Sequence, residues 1–356
     1  MKKIILLILT GCLLGHPLIH FAQIAEAEVK IQMDSMSIID QRAELAYNKA
    51  IDWYNKGRLD SAMILLNEAV ALKPGVSEIL FNRGILKHDL EDYAGALDDF
   101  NRSIEIFPTA STHFTRGLTL YLLGDTTSAM KDYRIAIEIE PNAPEAYYYR
   151  GGLFFDGGEY QLAIEDFTRA ISLNNDYAYA YNDRGSAKWK MGKLDEALDD
   201  FYRATMIDPG MYFAFNNLGG VKLELGDYDG AEADFTAAVK INPEYLFGYN
   251  NRGIVRTKLE DYEGAVKDFT DVLNLDPNYI FALNNRGIAK YKMNDYAGAV
   301  ADYDEVLKQN PELADVYLNR GIARVMLRDE KGSCEDWEKA ASMGIEVAKE
   351  YFKECK

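Results

Sequence analysis

Small, aromatic and proline residues recur along this chain with a period of 34 residues, apart from one step of 33. Each repeating unit contains a glycine, which arginine usually precedes, and an alanine or serine follows after twelve residues. A bulky ring comes four residues later, and a proline usually closes the unit. The glycine column comprises Gly84, Gly117, Gly151, Gly185, Gly219, Gly253, Gly287 and Gly321, with Ala50 in the first copy. Nine copies are predicted to start near Ala43, Ser77, Ala110, Pro144, Ala178, Tyr212, Leu246, Ile280 and Ala314.

Each copy is predicted to contain two helices joined by a short turn. A glycine ends the first helix in five copies, and in six copies an aspartate can cap the second helix. The glycines are Gly57, Gly124, Gly158, Gly192 and Gly226, and the aspartates are Asp92, Asp125, Asp227, Asp261, Asp295 and Asp329. A glycine inside a helix costs about 1 kcal/mol relative to alanine. The recurring glycine within the first helix therefore predicts that the paired helix approaches closely there.

This set of columns resembles the tetratricopeptide repeat, over about residues 43–345. The resemblance implies an all-α fold in which antiparallel helix pairs stack into a right-handed superhelical solenoid, with a concave groove formed by the first helices. Because a 34-residue unit is shorter than the roughly 40 residues that fold unaided, each copy must bury its apolar face on a neighbour. Residues 346–356 are predicted to form an amphipathic capping helix that covers the last copy.

The N-terminus has the features of an export signal at residues 1–27. Lys2 and Lys3 precede an apolar stretch, and small residues between positions 22 and 27 predict cleavage there. The alternative is a lipobox that ends at Cys12, where a lipid would anchor the chain. Cleavage predicts a periplasmic or secreted protein, whereas lipidation predicts an outer-membrane lipoprotein. Residues 28–42 form an N-terminal leader, and the mature chain has no apolar run long enough to span a membrane.

Two cysteines, Cys334 and Cys355, remain after signal removal. A helix pair that turns at Gly344 would bring them to the same level, and an oxidising compartment would permit a disulfide between them. The alternative is a pair of buried thiols.

The composition bears mainly on function. The chain carries 39 Lys and Arg against 57 Asp and Glu, a net charge of −18, which argues against nucleic-acid binding. His88 and His113 lie in different copies at positions that do not correspond, so they suggest neither a metal-ligand set nor a general base. We therefore expect no catalytic residue, no metal site and no cofactor site. The repeats also leave no room for a catalytic domain.

Seven arginines of the repeat each precede an aspartate by 16 residues. The pairs are Arg83 with Asp99, Arg116 with Asp132, Arg150 with Asp166, Arg184 with Asp200, Arg252 with Asp268, Arg286 with Asp302, and Arg320 with Asp336. We interpret them as structural ion pairs, because guanidinium and carboxylate groups form bidentate hydrogen bonds where they are partly buried. The alternative is a basic ladder for a ligand.

Asparagines occupy two adjacent columns of the first helix and are the best candidates for recognition. The first column contains Asn48, Asn82, Asn217, Asn251, Asn285 and Asn319, and the column before it contains Asn182, Asn216, Asn250 and Asn284. An amide side chain matches both the N–H and the C=O of an extended peptide. First helices about 10 Å apart would supply one Asn for every three extended residues. The alternative is that these amides bridge or cap neighbouring helices.

Aromatic residues add a second candidate feature of the groove. One column contains Tyr54, Tyr121, Phe155, Trp189 and Tyr291, and another contains Tyr179, Phe213, Phe247 and Phe281. We expect packing between repeats to bury most of them. The sequence thus predicts a non-catalytic scaffold that binds an extended peptide of a partner protein in the groove. Alternatives are a glycan-binding envelope protein that uses the aromatic residues and a structural lipoprotein subunit of an envelope assembly. The sequence leaves the oligomeric state open.

Overall fold

The computed structural model describes the backbone of residues 23–355 and the side chains of residues 35–355. The predicted signal segment up to Ala22, together with Cys12, lies outside the described residues. All regular structure within residues 23–355 is α-helical, in 19 helices that pair consecutively and antiparallel. None of these helices is sufficiently long and apolar to cross a membrane.

The helices alternate between the two positions of the repeat. The first helices are α1 (Gln23–Asn55), α3 (Ser77–Asp89), α5 (Ala110–Leu122), α7 (Pro144–Asp156), α9 (Ala178–Lys190), α11 (Tyr212–Leu225), α13 (Leu246–Lys258), α15 (Ile280–Lys292) and α17 (Ala314–Met326). The second helices are α2 (Leu59–Leu72), α4 (Tyr93–Ile106), α6 (Thr126–Ile139), α8 (Tyr160–Leu173), α10 (Leu194–Ile207), α12 (Tyr228–Ile241), α14 (Tyr262–Leu275), α16 (Tyr296–Gln309) and α18 (Glu330–Ser342). The last helix is α19 (Glu346–Lys353).

The described residues divide into two compact units, one that ends at Asp132 and one that begins at Tyr133. Within the second unit, each second helix packs on the first helix of its own copy and on that of the next. Successive first helices from α7 to α17 also touch one another, which places their side chains on a shared surface.

The repeat pattern predicted the helix boundaries closely. Eight first helices, α3 to α17, begin at the residues predicted as copy starts. The exception is α1, which begins at Gln23 rather than near Ala43, so the predicted leader at residues 28–42 is helical and continuous with the first copy.

The turn between the two helices of a copy has the predicted chemistry. The five glycines expected to end first helices all have a positive φ, and Glu91, Glu260, Asn294 and Arg328 adopt the same left-handed conformation in other copies. All six predicted capping aspartates accept a hydrogen bond from the backbone N–H three residues later, at 2.9–3.0 Å. These bonds satisfy one of the N–H groups that a helix start leaves without an intrahelical partner.

The recurring glycine lies where the ring of the second helix crosses the first helix. A Cβ at Gly151 would lie 2.9 Å from Cε1 of Phe167, and the same clash occurs at Gly84 with Phe100 and at Gly287 with Tyr303. These rings are almost completely buried. The close approach offsets the conformational cost of glycine within a helix.

Two adjacent glycines of α7 test this explanation. Replacing Gly151 by Ala should destabilise the fold, because overpacking against Phe167 costs about 1–3 kcal/mol and outweighs the helix propensity gained. Replacing Gly152 by Ala should stabilise it by about 0.5–1 kcal/mol, since a Cβ there has no neighbour within 4 Å. Chemical denaturation of the two variants measures the difference. Equal stabilities would contradict the packing explanation.

The C-terminal helix covers the last copy. Ala348 of α19 is fully buried, and Tyr351 packs on Trp337 of α18 with ring centroids 5.0 Å apart. Cys334 and Cys355 form a disulfide between α18 and the end of α19, with 5.8 Å between their Cα atoms. The cap is therefore attached to the last copy covalently as well as by packing.

Candidate ligand-binding face

The first helices of the second unit carry three rows of side chains on one face. Residues separated by three, four and eleven positions lie on the same side of a helix, which aligns an aromatic position, two amide positions and a lysine position on α13 and α15, whereas α11 has Glu224 at the lysine position. We call this surface the first-helix face. Its aromatic row is Tyr179, Phe213, Phe247 and Phe281, its amide row comprises Asn182, Asn216, Asn250 and Asn284 with Asn217, Asn251, Asn285 and Asn319, and its lysine row is Lys190, Lys258 and Lys292.

The aromatic row is more exposed than we expected from packing between repeats. Tyr179, Phe247 and Phe281 expose 41%, 50% and 65% of their surface. Tyrosines from the helix starts join the row into a continuous series of seven rings with centroid separations of 4.8–6.3 Å. The added rings are Tyr212, Tyr245 and Tyr279. The sequence interpretation missed these three because they lie outside the two columns it considered.

The amide row links neighbouring copies through hydrogen bonds between residues 35 apart. Asn217 Nδ2 donates to Asn182 Oδ1 at 3.0 Å, and Asn251 Nδ2 donates to Asn216 Oδ1 at 2.9 Å. The bridging alternative therefore holds for these two pairs, which we call the closed pairs.

The next two pairs of the same row lack this bond. The Oδ1 atoms of Asn250 and Asn284 are buried and accept no hydrogen bond, so neither Asn285 nor Asn319 completes its pair. Asn250 itself is only 7% exposed. A buried acceptor without a partner costs about 1–3 kcal/mol. We call Asn250–Asn285 and Asn284–Asn319 the open pairs.

An aspartate replaces asparagine at one position of the row. Asp183 accepts a hydrogen bond from Tyr148 Oη at 2.7 Å and another from Asn182 Nδ2 at 2.9 Å. Burial raises the pKa of Asp183 above its usual range, and the two hydrogen bonds oppose part of this increase. In the first unit the corresponding position holds Asn82, whose Nδ2 donates to Tyr47 Oη at 2.9 Å.

This difference predicts the effect of replacing Asp183 by Asn. When the pKa of an aspartate is raised in the folded state, the folded protein loses stability as pH rises from the usual Asp range through the raised value. The variant should therefore melt at a higher temperature than the parent at pH 7 and at a similar temperature near pH 3, because Asn can donate to Tyr148 as Asn82 does to Tyr47. Paired thermal melts by circular dichroism measure the difference. A variant that melts below the parent at pH 7 would contradict the assignment.

The other predicted groove residues have varied environments. In the first unit Asn48 is exposed, Asn82 is buried, and Tyr121 is 40% exposed. In the second unit Trp189 Nε1 donates to Glu224 at 2.7 Å, and its ring edge lies against Gly220 of the next copy. Trp189 is thus largely used between copies. Another predicted aromatic residue, Tyr291, lines an open cavity.

That cavity lies on the first-helix face between the last two copies. It has a volume of about 220 Å³, and its lining residues are Ile288, Tyr291, Lys292, Tyr303, Asn319 and Ile322. Lys292 is exposed and, unlike Lys290, which pairs with Asp302, it forms no salt bridge with any described residue. Of the residues that line the cavity, the asparagine column contains only Asn319. The cavity itself was not predicted, because it depends on the spacing between helices, which a sequence column does not give.

The arginine column is structural, as predicted. All seven arginines donate through Nε and Nη2 to both oxygens of the predicted aspartate at 2.5–3.0 Å. The aspartates are buried. These arginines are therefore not a basic ladder for a ligand.

A second cation contacts most of these aspartates, and the sequence interpretation missed it. It lies one helical turn after the arginine and twelve residues before the aspartate. The pairs are Lys87 with Asp99, Lys188 with Asp200, Lys222 with Asp234, Arg256 with Asp268, Lys290 with Asp302, and Arg324 with Asp336, at 2.7–3.0 Å. Lys222 explains how Asp234 is paired although Leu218 replaces its arginine. Burial nevertheless raises the pKa of Asp234.

Comparison with known protein families agrees with this architecture. Models described as TPR repeat match residues 117–155 and 151–192, and models described as tetratricopeptide repeat match residues 47–111, 182–245, 216–280 and 280–313. Together they cover most of the chain. It belongs to the tetratricopeptide repeat family. A search of the curated proteins found no match.

Solved structures resemble this tetratricopeptide repeat protein in fold. A tetratricopeptide repeat protein from Parabacteroides merdae is 22% identical with a TM-score of 0.50, and the match covers 69% of this chain and 98% of that one. The C-terminal part of a TPR repeat-containing protein from Cytophaga hutchinsonii is 16% identical with a TM-score of 0.54, covering 67% and 98%. The Cut9–Hcn1 hetero-tetramer of APC/C is 13% identical with a TM-score of 0.52, covering 88% and 76%. At these identities the likeness concerns the fold alone.

Tetratricopeptide repeat proteins are typically non-catalytic and generally mediate contacts between proteins. Within the residues that the structure describes, no group of three or more His, Cys, Asp and Glu side chains is arranged to hold a metal ion. The first-helix face of this repeat protein presents amides, exposed rings and lysines.

Proposed function

We propose that this protein is a non-catalytic scaffold that holds an extended segment of a partner protein on the first-helix face of the second unit. The observation that carries the proposal is the set of three parallel rows on that face. The amide row supplies donors and acceptors for peptide groups, and the exposed aromatic row supplies apolar contact area.

The spacing of the rows favours a peptide in extended conformation. Adjacent packed helices lie about 8–10 Å apart, and an extended chain rises about 3.3 Å per residue, so each copy passed corresponds to about three ligand residues. Peptide groups have the same shape at every residue. A row of amides can therefore bind them with little dependence on side-chain sequence.

A selection experiment tests this function. The full mature chain is used to select from a phage-displayed library of random dodecamer peptides, and a glycan array is probed with the same preparation. The proposal predicts enrichment of peptides whose binding is lost when Phe247 and Phe281 are both replaced by Ser. The paired control replaces the exposed residues Tyr202 and Met206 of α10, outside the face, by Ser.

Three outcomes would contradict the proposal. The first is that no peptide is enriched. The second is that glycans bind and peptides do not, since the exposed rings could also stack on sugar rings. The third is equal loss of binding in the face variant and the control.

Export is the second part of the proposal. Lys2, Lys3 and the apolar stretch after them support a cleaved signal, which would place the repeats in the periplasm or outside the cell. Mass spectrometry of the mature protein should find an N-terminus between residues 23 and 28. A lipid-modified N-terminal Cys12 would instead identify a lipoprotein, and an intact Met1 would contradict export.

A further inference from the structure

The two halves of the amide row differ although their sequences are nearly the same. Asn182–Asn217 and Asn216–Asn251 are closed pairs, whereas Asn250–Asn285 and Asn284–Asn319 have the same 35-residue separation and are open. The difference therefore lies in the arrangement of these side chains and not in their residue type or separation. In each open pair the Oδ1 acceptor is buried, so the group that a ligand can reach is the amide of Asn285 or Asn319, which does not bond to the preceding copy.

The open pairs coincide with other features that a ligand requires. The cavity of about 220 Å³ includes Asn319 of the second open pair in its lining. This volume equals about seven water molecules at ~30 Å³ each, which is room for one long side chain. Its walls include Ile288 and Ile322, and Lys292 supplies a cation that forms no salt bridge with a described residue. Apolar walls with one cation suit a glutamate, whose methylene groups contact the walls while its carboxylate pairs with Lys292.

The opposite flank of the open pairs has different chemistry. Phe247 and Phe281 precede the open-pair residues by one helical turn and are at least half exposed. The lysine row lies eleven residues farther along each helix, at a distance of about 16 Å along its axis. A ligand that follows the amide row therefore has rings on one flank and lysines on the other. On α17 the aromatic position holds Asp315 instead of a ring. Because this aspartate would repel an acidic side chain, the acidic side chains of a ligand are favoured only on the lysine flank.

We propose that copies seven to nine bind an extended peptide in which large apolar and acidic side chains alternate. Its peptide groups bind the amides of Asn285 and Asn319, its apolar side chains contact Phe247 and Phe281, and its acidic side chains reach Lys258, Lys292 and the cavity. Alternation follows from the geometry of an extended chain, because successive side chains point to opposite sides. Lys258 and Lys292 supply local positive charge for an acidic ligand on a protein whose net charge is −18. This inference rests on the proposed function and specifies its ligand.

Three labelled octapeptides test the ligand chemistry by fluorescence anisotropy with the full mature chain. The first alternates Glu and Phe between terminal glycines, the second has the same composition in two blocks, and the third alternates Lys and Phe. We expect the alternating acidic peptide to bind at least tenfold more tightly than either control. Its affinity should fall as NaCl is raised from 50 to 500 mM. Equal affinity for the blocked peptide or for the lysine peptide would overturn the inference.

Matched variants test the location. Replacing Asn284 and Asn319 by Ala should weaken binding about tenfold, whereas replacing Asn182 and Asn217 of a closed pair should change it less than threefold. Replacing exposed Lys292 by Gln should weaken binding of the acidic peptide, and the control Lys331→Gln on α18 should not. Circular dichroism checks that each variant is folded. If an asparagine variant unfolds, the two lysine variants still test the location, because both lysines are exposed. Equal effects of the open-pair and closed-pair variants, or of the two lysine variants, would overturn the location.

The outcomes separate this inference from the broader proposal. If library peptides bind the first-helix face but neither alternation nor Lys292 matters, the scaffold function remains and this inference is wrong. If no peptide binds at all, both are wrong.

Discussion

Replacing Arg150 by Met is expected to destabilise the protein by about 3–5 kcal/mol, because removal of one partner leaves a buried charge uncompensated. The residue left behind is Asp166, which is 6% exposed. Its two oxygens accept from Nε and Nη2 of Arg150, each at 2.7 Å. The fourth copy has Phe154 where most copies place the second cation, so the described structure offers Asp166 no other cationic partner.

The eighth copy provides the matched control. Replacing Arg286 by Met leaves Asp302 paired with Lys290 at 2.8 Å, so we expect a clearly smaller loss of stability. A double variant with Met at 150 and Leu at 166 should recover most of the stability, since no buried charge remains. The first copy already contains Leu65 at the aspartate position. Chemical denaturation of the three variants measures the losses, and equal losses in copies four and eight would show that the second cation does not matter.

Removing the disulfide should loosen the C-terminal cap. Cys334 and Cys355 are separated by 21 residues, and closing a loop of that size contributes about 3 kcal/mol in the chain-entropy model. Helix α19 has only eight residues, which is too short to be stable without tertiary contacts. Replacing both cysteines by Ser should therefore accelerate amide hydrogen exchange in α19 and the end of α18.

Two controls define this effect. Exchange in α7 to α13 should be unchanged, because each copy contacts mainly its neighbours. Adding dithiothreitol should reproduce the effect in the parent protein and change nothing in the variant without cysteines. Exchange in α19 that is equally slow with and without the disulfide would contradict a stabilising role for the bond.

The sequence predicted several features that depend on contacts within one copy. The Arg–Asp pairs were predictable because both partners occupy fixed positions and are lost together in the first copy, where Lys49 and Leu65 replace them. The turns were predictable because a positive φ and a helix N-cap each favour few residue types.

The features that were not predicted have no distinctive pattern of residue types in the sequence. The cation at Lys290 and its equivalents resembles many other surface lysines in sequence, and only the helix crossing places it near a buried aspartate. Open and closed asparagine pairs have the same residues and separation, so the sequence columns do not show which of them bond. The helical structure of the leader before Ala43 was not predicted, because the leader lies outside the repeating columns.

Photo-crosslinking is the most direct test of the central claim that the first-helix face binds an extended peptide. A peptide from the library selection, carrying p-benzoylphenylalanine at one position, is irradiated with the full mature chain. The crosslinked residues are then identified by mass spectrometry. The account predicts crosslinks on α13, α15 and α17, particularly near Phe247, Phe281 and Tyr291. Crosslinks confined to the second helices α14, α16 and α18 would contradict it.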